Sequence, residues 1–263
     1  MRTTQSTLQA MYHAGEKITA LTCYDACFST ILENAGIDIL LVGDSLGNVL
    51  QGNDTTLTVS LNDMCYHTRC VYAGTNKAFI MSDMPFGTFQ VSPEKTFENA
   101  SKLLAAGAQM VKIEGGRIMA ETIHFLTQRG IPVCAHIGLT PQSIHQLGGY
   151  KVQGKSEQES KQLLDDALIL EKAGANMLLM ELVPATLAKT ITNKLSIPTI
   201  GIGAGADCSA QILVLHDMLG LYPGKKPRFV KDFMVDSSTI PLAITNYVDE
   251  VKNGHFPDAE HQF

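Results

Sequence analysis

The sequence predicts an α/β fold and, within that class, a (β/α)8 TIM barrel. Short apolar segments with strand character alternate strictly with amphipathic segments of helical length. About eight such units fit into the 263 residues, which favours a barrel over an open doubly wound sheet, the alternative that we keep. Four of the apolar segments end on an acidic residue, and a barrel would collect those four acids at one end.

The predicted strands are apolar segments, and several follow a glycine that ends the preceding helix. Ala35-Gly36-Ile37 and Ala173-Gly174-Ala175 are examples, because glycine readily takes the left-handed backbone that closes a helix. The strands are predicted at 18–23, 37–42, 78–82, 109–113, 131–135, 176–180, 197–200 and about 212–215.

Capping residues mark the starts of several predicted helices. Asp25, Ser60 and Ser92 each stand directly before an amphipathic segment, and Pro93 follows Ser92 at the first helical position. The helices are predicted at 7–13, 26–34, 61–73, 93–106, 117–128, 156–173, 184–194 and within 236–252.

No linker or change of composition divides the chain, so we expect one domain over residues 1–263. We expect a helical arm at about 1–16 and a helical tail at about 236–263. The segments 47–60 and 137–155 are polar or glycine-rich and predict long loops, which in compact domains often carry function.

Composition excludes several classes of protein. The formal net charge of −6 and the absence of a basic stripe argue against a nucleic-acid partner. No apolar segment approaches the roughly 20 residues that span a bilayer, so we expect no membrane partner. The six cysteines show no C-x-x-C spacing, which favours reduced core thiols in a cytoplasmic protein over a structural zinc site.

The four strand-ending acids are the candidate site. Asp44, Asp83 and Glu114 close three successive strands, so a barrel would make them neighbours. Clustered carboxylates repel unless a cation lies between them, and oxygen ligands of this kind predict Mg²⁺ or Mn²⁺ rather than zinc. Taken one at a time, each acid is also explained as a helix N-cap or a surface charge.

Lys112 and His136 add two further groups to the candidate site. Lys112 lies two residues before Glu114, so both side chains should share one face of a strand. The lysine would neutralise an anionic substrate or form a Schiff base, and pairing with a buried acid is the structural alternative. His136 ends a strand and is a candidate hydrogen-bond donor to substrate, or else a buried core histidine.

This set of residues favours chemistry on a 2-oxo acid. A divalent cation would bind the keto and carboxylate oxygens and stabilise the enolate formed when the neighbouring carbon loses a proton. Glu181, on a later strand and away from the cation, is then the candidate base. A metal-dependent lyase or aldolase, a Schiff-base aldolase through Lys112 and a non-catalytic binding module stay open on the residues alone.

Eight segments resemble the ketopantoate hydroxymethyltransferase family. The resemblance extends from about residue 18 to the C-terminal Phe263, and its segments are long and occur in the family's order. The segments are VGDSLG (42–47), YHT (66–68), DMPFG (83–87), VKIEGG (111–116), GLTPQ (138–142), GGYKVQG (148–154), GIGAG (201–205) and HDMLG (216–220).

The resemblance implies a (β/α)8 barrel of the phosphoenolpyruvate/pyruvate type, assembled as a homodecamer. It implies hydroxymethyl transfer from 5,10-methylenetetrahydrofolate to 3-methyl-2-oxobutanoate, giving 2-dehydropantoate in pantothenate synthesis. Asn48 and Leu182 depart from residues common in the family. Carried over by position, the resemblance assigns Mg²⁺ binding to Asp44, Asp83 and Glu114, substrate binding to Asp44, Ser45, Asp83 and Lys112, and proton abstraction to Glu181.

Overall fold

The computed structural model describes residues 2–224 and 226–263 and shows a closed parallel barrel, as predicted. Each strand pairs with the next in the chain, and the last pairs with the first. The eight strands are β1 (Ile18–Thr22), β2 (Ile39–Val42), β3 (Phe79–Asp83), β4 (Met110–Glu114), β5 (Val133–Gly138), β6 (Met177–Glu181), β7 (Thr199–Ile202) and β8 (Ala210–Leu213).

Helices surround the barrel and cover its outer face. The α-helices are α1 (Gln5–His13), α2 (Ala26–Asn34), α3 (Leu46–Val49), α4 (Leu61–Gly74), α5 (Pro93–Ala105), α6 (Ala120–Thr127), α7 (Ile144–Leu147), α8 (Glu157–Lys172), α9 (Ala185–Lys194), α10 (Leu215–Met218) and α11 (Ile240–Lys252). None of the helices in the described part of the chain has both the length and the apolar character that crossing a bilayer requires.

Local sequence explains where the helices begin. The side chains of Asp25, Ser60 and Ser92 accept hydrogen bonds from the backbone N–H groups of Phe28, Asp63 and Lys95, as their predicted capping roles require. The strands are buried on both faces, because side chains fill the barrel interior on one side and the helices cover the other.

The strand register brings the site together. Asp83 of β3 is aligned with Lys112 of β4, and Glu114 of β4 is aligned with His136 of β5. In a parallel pair, aligned residues project to the same side of the sheet. Lys112 and Glu114 therefore project to the same side of the sheet, as predicted, and so do Asp83 and His136 on the neighbouring strands. These four side chains meet at the carboxyl end of the barrel.

Several expectations about element bounds were wrong. Strands β2 and β7 begin at Ile39 and Thr199, each two residues after its predicted start. Strand β5 continues to Gly138, so His136 lies within the strand rather than at its end. Strand β8 begins at Ala210, two residues before its predicted start. The expected loops contain short helices, namely α3 and a 3-10 turn at Thr56–Thr58 in the first, and α7 and a 3-10 turn at Pro141–Ser143 in the second. Helices of three or four residues are too short to show a period in the sequence.

The two terminal helices both contact the barrel body. In α1, Leu8 is buried and the Tyr12 hydroxyl donates a hydrogen bond to the Leu195 carbonyl at 2.9 Å. In α11, the buried Tyr247 hydroxyl lies 2.9 Å from the carbonyl oxygens of Ala20 in β1 and Gln211 in β8. The division into one domain with an arm and a tail stays a prediction.

Candidate active site

A cavity of about 760 Å³ opens at the carboxyl end of the strands. Catalytic sites of (β/α)8 enzymes lie at this end of the barrel, where the loops after the strands converge. All of the residues predicted for the site line this cavity, namely Asp44, Ser45, Asp83, Lys112, Glu114, His136 and Glu181.

Lys112 lies among the acids. Its ammonium nitrogen is 3.2 Å from Oδ1 of Asp83 and 3.5 Å from Oε1 of Glu114, and all three side chains are buried. Burial alone would lower the pKa of Lys112, but the charges of Asp83 and Glu114 outweigh it and raise the pKa above its usual value. The lysine is therefore protonated and serves as the internal counter-ion of the acids.

Gln142 holds two of the acids in place. Its side-chain nitrogen donates to Oδ2 of Asp44 at 2.8 Å and to the Met84 carbonyl at 2.9 Å, and its backbone N–H donates to Oε2 of Glu114 at 3.0 Å. Burial, followed by the charge of Asp83, raises the pKa of Asp44 well above its usual range. Asp44 is thus a carboxylate whose charge the surroundings only partly compensate.

His136 connects the lysine to the predicted base. The Lys112 ammonium lies 3.2 Å from Nδ1 of His136, and the same nitrogen lies 3.5 Å from Oε1 of Glu114. Nε2 lies 3.3 Å from Oε2 of Glu181. The Glu181 side chain is 14% exposed, against 3% for Asp83 and Glu114, so it projects towards the open part of the cavity.

The backbone around Glu181 is tightly fixed. The Leu139 N–H donates to the Glu181 carbonyl at 2.8 Å, and the Gln153 N–H donates to the Leu182 carbonyl at 2.9 Å. Leu182 has a φ of 50°, which is unusual for a residue with a side chain. A Cβ at Gly138 would lie 2.3 Å from the Glu181 carbonyl oxygen, so only glycine fits at position 138 of β5, the strand beside Glu181.

Two neighbours of the predicted residues were not predicted. The Tyr24 hydroxyl is 2.9 Å from the Ser45 hydroxyl, and Tyr24 is buried. Gln142, described above, is the second. Gln142 lies in one of the segments that carry the family resemblance, whereas Tyr24 follows a strand without any pattern that marks it.

The acids offer ligand atoms for a hard cation. Asp83 Oδ1, Glu114 Oε1 and Gln142 Oε1 are buried oxygens that accept no hydrogen bond from the described residues, although the two carboxylate oxygens form ion pairs with Lys112. Such atoms are costly unless a ligand satisfies them, and oxygen donors suit Mg²⁺. Within residues 2–224 and 226–263, no group of three His, Cys, Asp or Glu side chains is close enough together to hold a metal ion. Lys112 lies between the acids of the site. The donor set fits the ion, and side-chain adjustment would bring the oxygens together.

A comparison with protein families shows to which family the chain belongs. The family model for ketopantoate hydroxymethyltransferase matches residues 2–259. The chain belongs to this family. Curated members bearing the name 3-methyl-2-oxobutanoate hydroxymethyltransferase include one from Nitrosospira multiformis, 67% identical over 263 residues, and one from Thiobacillus denitrificans, 57% identical over 263 residues. Both matches cover 100% of each chain.

Solved structures of lower identity show the same fold. A phosphonopyruvate hydrolase in complex with oxalate and Mg²⁺ has a TM-score of 0.62 at 14% identity and covers 81% of each chain. A 2,3-dimethylmalate lyase, described as a member of the PEP mutase/isocitrate lyase superfamily, has a TM-score of 0.60 at 16% identity and covers 97% of this chain and 99% of its own. These matches agree with the closed (β/α)8 barrel seen here.

Family membership confirms the predicted activity. As a ketopantoate hydroxymethyltransferase family member, the protein is an enzyme that transfers a hydroxymethyl group to 3-methyl-2-oxobutanoate in pantothenate biosynthesis. This favours the transferase over the lyase and over the non-catalytic module. A Schiff-base lysine needs a lowered pKa, and the raised pKa of Lys112 argues against that mechanism.

The two departures from the family lie beside the site. Asn48 lines the cavity, and its side-chain nitrogen donates to the Asn53 carbonyl at 2.9 Å, which fixes the segment after β2. Leu182 also lines the cavity, directly after Glu181. Both residues therefore shape the walls of the site.

Proposed function

We propose that the transfer uses Mg²⁺, takes its one-carbon unit from 5,10-methylenetetrahydrofolate and proceeds through the enolate of the oxo acid. The observation that carries this proposal is the group of acids around the carboxyl end of the barrel, with buried carboxylate oxygens that lack a hydrogen-bond partner in the described residues. Methylenetetrahydrofolate enters as a substrate and rests on the family resemblance.

Asp44, Asp83 and Glu114 would hold the Mg²⁺. When bound, the ion would supply positive charge that stabilises the enolate oxygen of the substrate. Two observations support this assignment. Asp44 lies just after β2, and Asp83 and Glu114 end the next two strands. A structure of the same fold is described as a complex with oxalate and Mg²⁺. Oxalate places two carboxylate oxygens side by side, much as a 2-oxo acid places its keto and carboxylate oxygens.

Ser45, Lys112 and His136 would orient the oxo acid. The Lys112 ammonium is protonated and lines the cavity, so it attracts the substrate carboxylate. The Ser45 hydroxyl can donate to the same carboxylate while accepting a hydrogen bond from Tyr24. His136 can donate through Nε2, either to Glu181 or to a substrate oxygen.

Glu181 would act as the base. It removes the C3 proton of 3-methyl-2-oxobutanoate, and the electron pair of that C–H bond forms the enolate. C3 then forms a bond to the methylene carbon of the folate, both carbon–nitrogen bonds of that carbon break, and water supplies the hydroxyl group. The proton taken from C3 and the second proton of the water end on the two folate nitrogens. Exposure of Glu181 to the open part of the cavity supports this role, because the base has to reach the bound substrate.

Exchange of the C3 proton tests the base directly. In deuterated buffer with Mg²⁺, NMR should show loss of the C3 proton signal with the parent enzyme and exchange at least about 100-fold slower with Glu181→Gln. Glu16→Gln, at an exposed position, is the matched control and should exchange at the parent rate. If Glu181→Gln exchanges as fast as the parent, the assignment of the base is wrong.

We also infer from the family resemblance that the enzyme is a homodecamer in the cytoplasm. Light scattering coupled to size-exclusion chromatography measures the assembly. A mass near ten times the 28.5 kDa chain is the expected result.

A further inference from the structure

The cavity is much larger than the oxo acid requires. A volume of about 760 Å³ is typical of sites that enclose drug-sized molecules, whereas 3-methyl-2-oxobutanoate has five carbons. The acid cluster, defined as Asp44, Asp83, Glu114 and Glu181, occupies one part of the lining. The remaining lining is available to a second, larger substrate.

Asp217 is the notable acid outside that cluster. It lies in α10, directly after β8, and lines the same cavity. Its side chain is half-buried and has neither an ion-pair partner nor a hydrogen-bond donor in the described part of the chain. Burial raises its pKa to about 6. Each acid of the cluster, by contrast, lies within 3.5 Å of a donor.

Tyr24 connects Asp217 to the reaction centre. The Tyr24 ring lies 5.6 Å, between ring centroids, from the ring of His216, the residue directly before Asp217. The Tyr24 hydroxyl lies 2.9 Å from the Ser45 hydroxyl. A ligand that reaches Asp217 is therefore near the place proposed for the oxo acid.

The surroundings of Asp217 define the chemistry of its ligand. Ile212, Leu213 and Val214, which precede Asp217 along the chain, are apolar parts of the lining, and Phe229 adds an aromatic ring to the same cavity. An unpaired carboxylate beside apolar walls suits a flat, uncharged ring that presents two N–H donors along one edge. The carboxylate has two oxygens and accepts both hydrogen bonds at once.

We propose that Asp217 binds the aminopyrimidinone edge of the folate's pterin ring, through its ring N–H and its exocyclic amino group. This inference rests on the proposed folate substrate and adds the residue that recognises it. It also defines the orientation of the folate in the cavity. The pterin lies beside Asp217, next to the reaction centre, and the anionic glutamate tail extends away from this carboxylate.

The lining of the cavity also contains basic residues. Lys226 and Arg228 line the same cavity, and Lys226 is exposed. Arg228 donates to the carbonyl oxygens of Glu260 and Ala259, which holds its guanidinium in place near the C-terminus. Positive charge here attracts the carboxylates of the glutamate tail, which Asp217 would repel.

A double-mutant cycle between protein and ligand tests the contact. Titration calorimetry under anaerobic conditions measures binding of tetrahydrofolate and of its 2-desamino-2-methyl analogue. Asp217→Asn should weaken tetrahydrofolate binding about 10- to 100-fold, because one acceptor becomes a donor that faces the amino group. The loss for the analogue should stay within about threefold. Asp236→Asn, at an exposed position, is the control and should bind both ligands as the parent does.

The outcomes separate this inference from the proposed function. If the parent binds tetrahydrofolate and Asp217→Asn binds it equally well, the role of Asp217 is wrong while the folate substrate stands. Equal losses for both ligands would indicate a structural role and overturn the inference. Failure of the parent to bind tetrahydrofolate would overturn both. In steady-state kinetics the substitution should raise KM for methylenetetrahydrofolate; a fall in kcat at unchanged KM would contradict recognition and indicate proton transfer.

Discussion

Buried and half-buried acids at the two ends of the barrel differ in how completely they are hydrogen-bonded. At the amino end, Glu33 accepts hydrogen bonds from the backbone N–H groups of Asn76, Lys77 and Ala78 and from the Thr75 hydroxyl. Burial would raise the pKa of Glu33, but these bonds outweigh it and lower the pKa. Asp38 likewise accepts from the Thr19 N–H and hydroxyl and pairs with Lys252.

At the carboxyl end the acids are left incompletely bonded. Asp83 and Glu114 each have a buried oxygen that forms an ion pair with Lys112 but accepts no hydrogen bond from the described residues, and the pKa of Asp44 is raised. An acid whose bonds are complete stabilises the fold, whereas an acid with unused oxygens costs stability and keeps those oxygens for a ligand. The difference separates structural from functional acids without reference to any relative.

Asp44→Asn gives the largest expected effect and tests the functional half of this comparison. The substitution should lower kcat/KM for hydroxymethyl transfer about 1000-fold, because it removes a proposed Mg²⁺ ligand. The melting temperature should stay equal or rise, because a repelled buried charge disappears while the shape is kept. Product formation and thermal denaturation measure the two effects. A fall in melting temperature of more than about 4 °C, which is roughly 2 kcal/mol for a domain of this size, would contradict the comparison.

Lys112→Met tests the role of Lys112 as the counter-ion of the acids at the carboxyl end. Removal of the ammonium leaves Asp83 and Glu114 buried without their charge partner, which should lower the free energy of unfolding by about 3–5 kcal/mol. Urea denaturation measures the loss. Adding Asp83→Asn to this variant should restore part of the stability, because it removes one of the uncompensated charges. If the double variant is no more stable than Lys112→Met alone, the lysine does not act as the counter-ion of Asp83.

Glu33→Gln tests the structural half and has the smallest expected effect. Transfer activity should be retained, while the free energy of unfolding at pH 7 should fall by about 1–2 kcal/mol, because a charged acceptor of several backbone bonds is lost. Since the folded pKa of Glu33 is lowered, its contribution is present above its unfolded pKa and disappears as the pH falls through the folded value. The parent and the variant should therefore converge in stability between about pH 5 and pH 3. A difference independent of pH would mean that the Glu33 charge is not the cause.

The barrel and the acids could be predicted because each depends on a local pattern. Apolar strands with helix-ending glycines reveal the alternation, and an acid after such a strand is recognisable by itself. Gln142 could not be found in this way, since its contact with Asp44 joins residues 98 positions apart. Asp217 and Tyr24 have the same difficulty. Asp217 lines the cavity and Tyr24 contacts Ser45, and only the closed barrel brings these residues to those positions.

The paired backbone bonds at Glu181 and Leu182 bear on how this enzyme can change through evolution. The segment between Leu139 and Gln153 begins and ends on carbonyl groups of these two adjacent residues. Its middle can accordingly gain or lose residues while both attachment points stay where they are. Variation in the length of this segment would then alter the entrance and the choice of ligand without displacing the carboxylate at which the proton is taken.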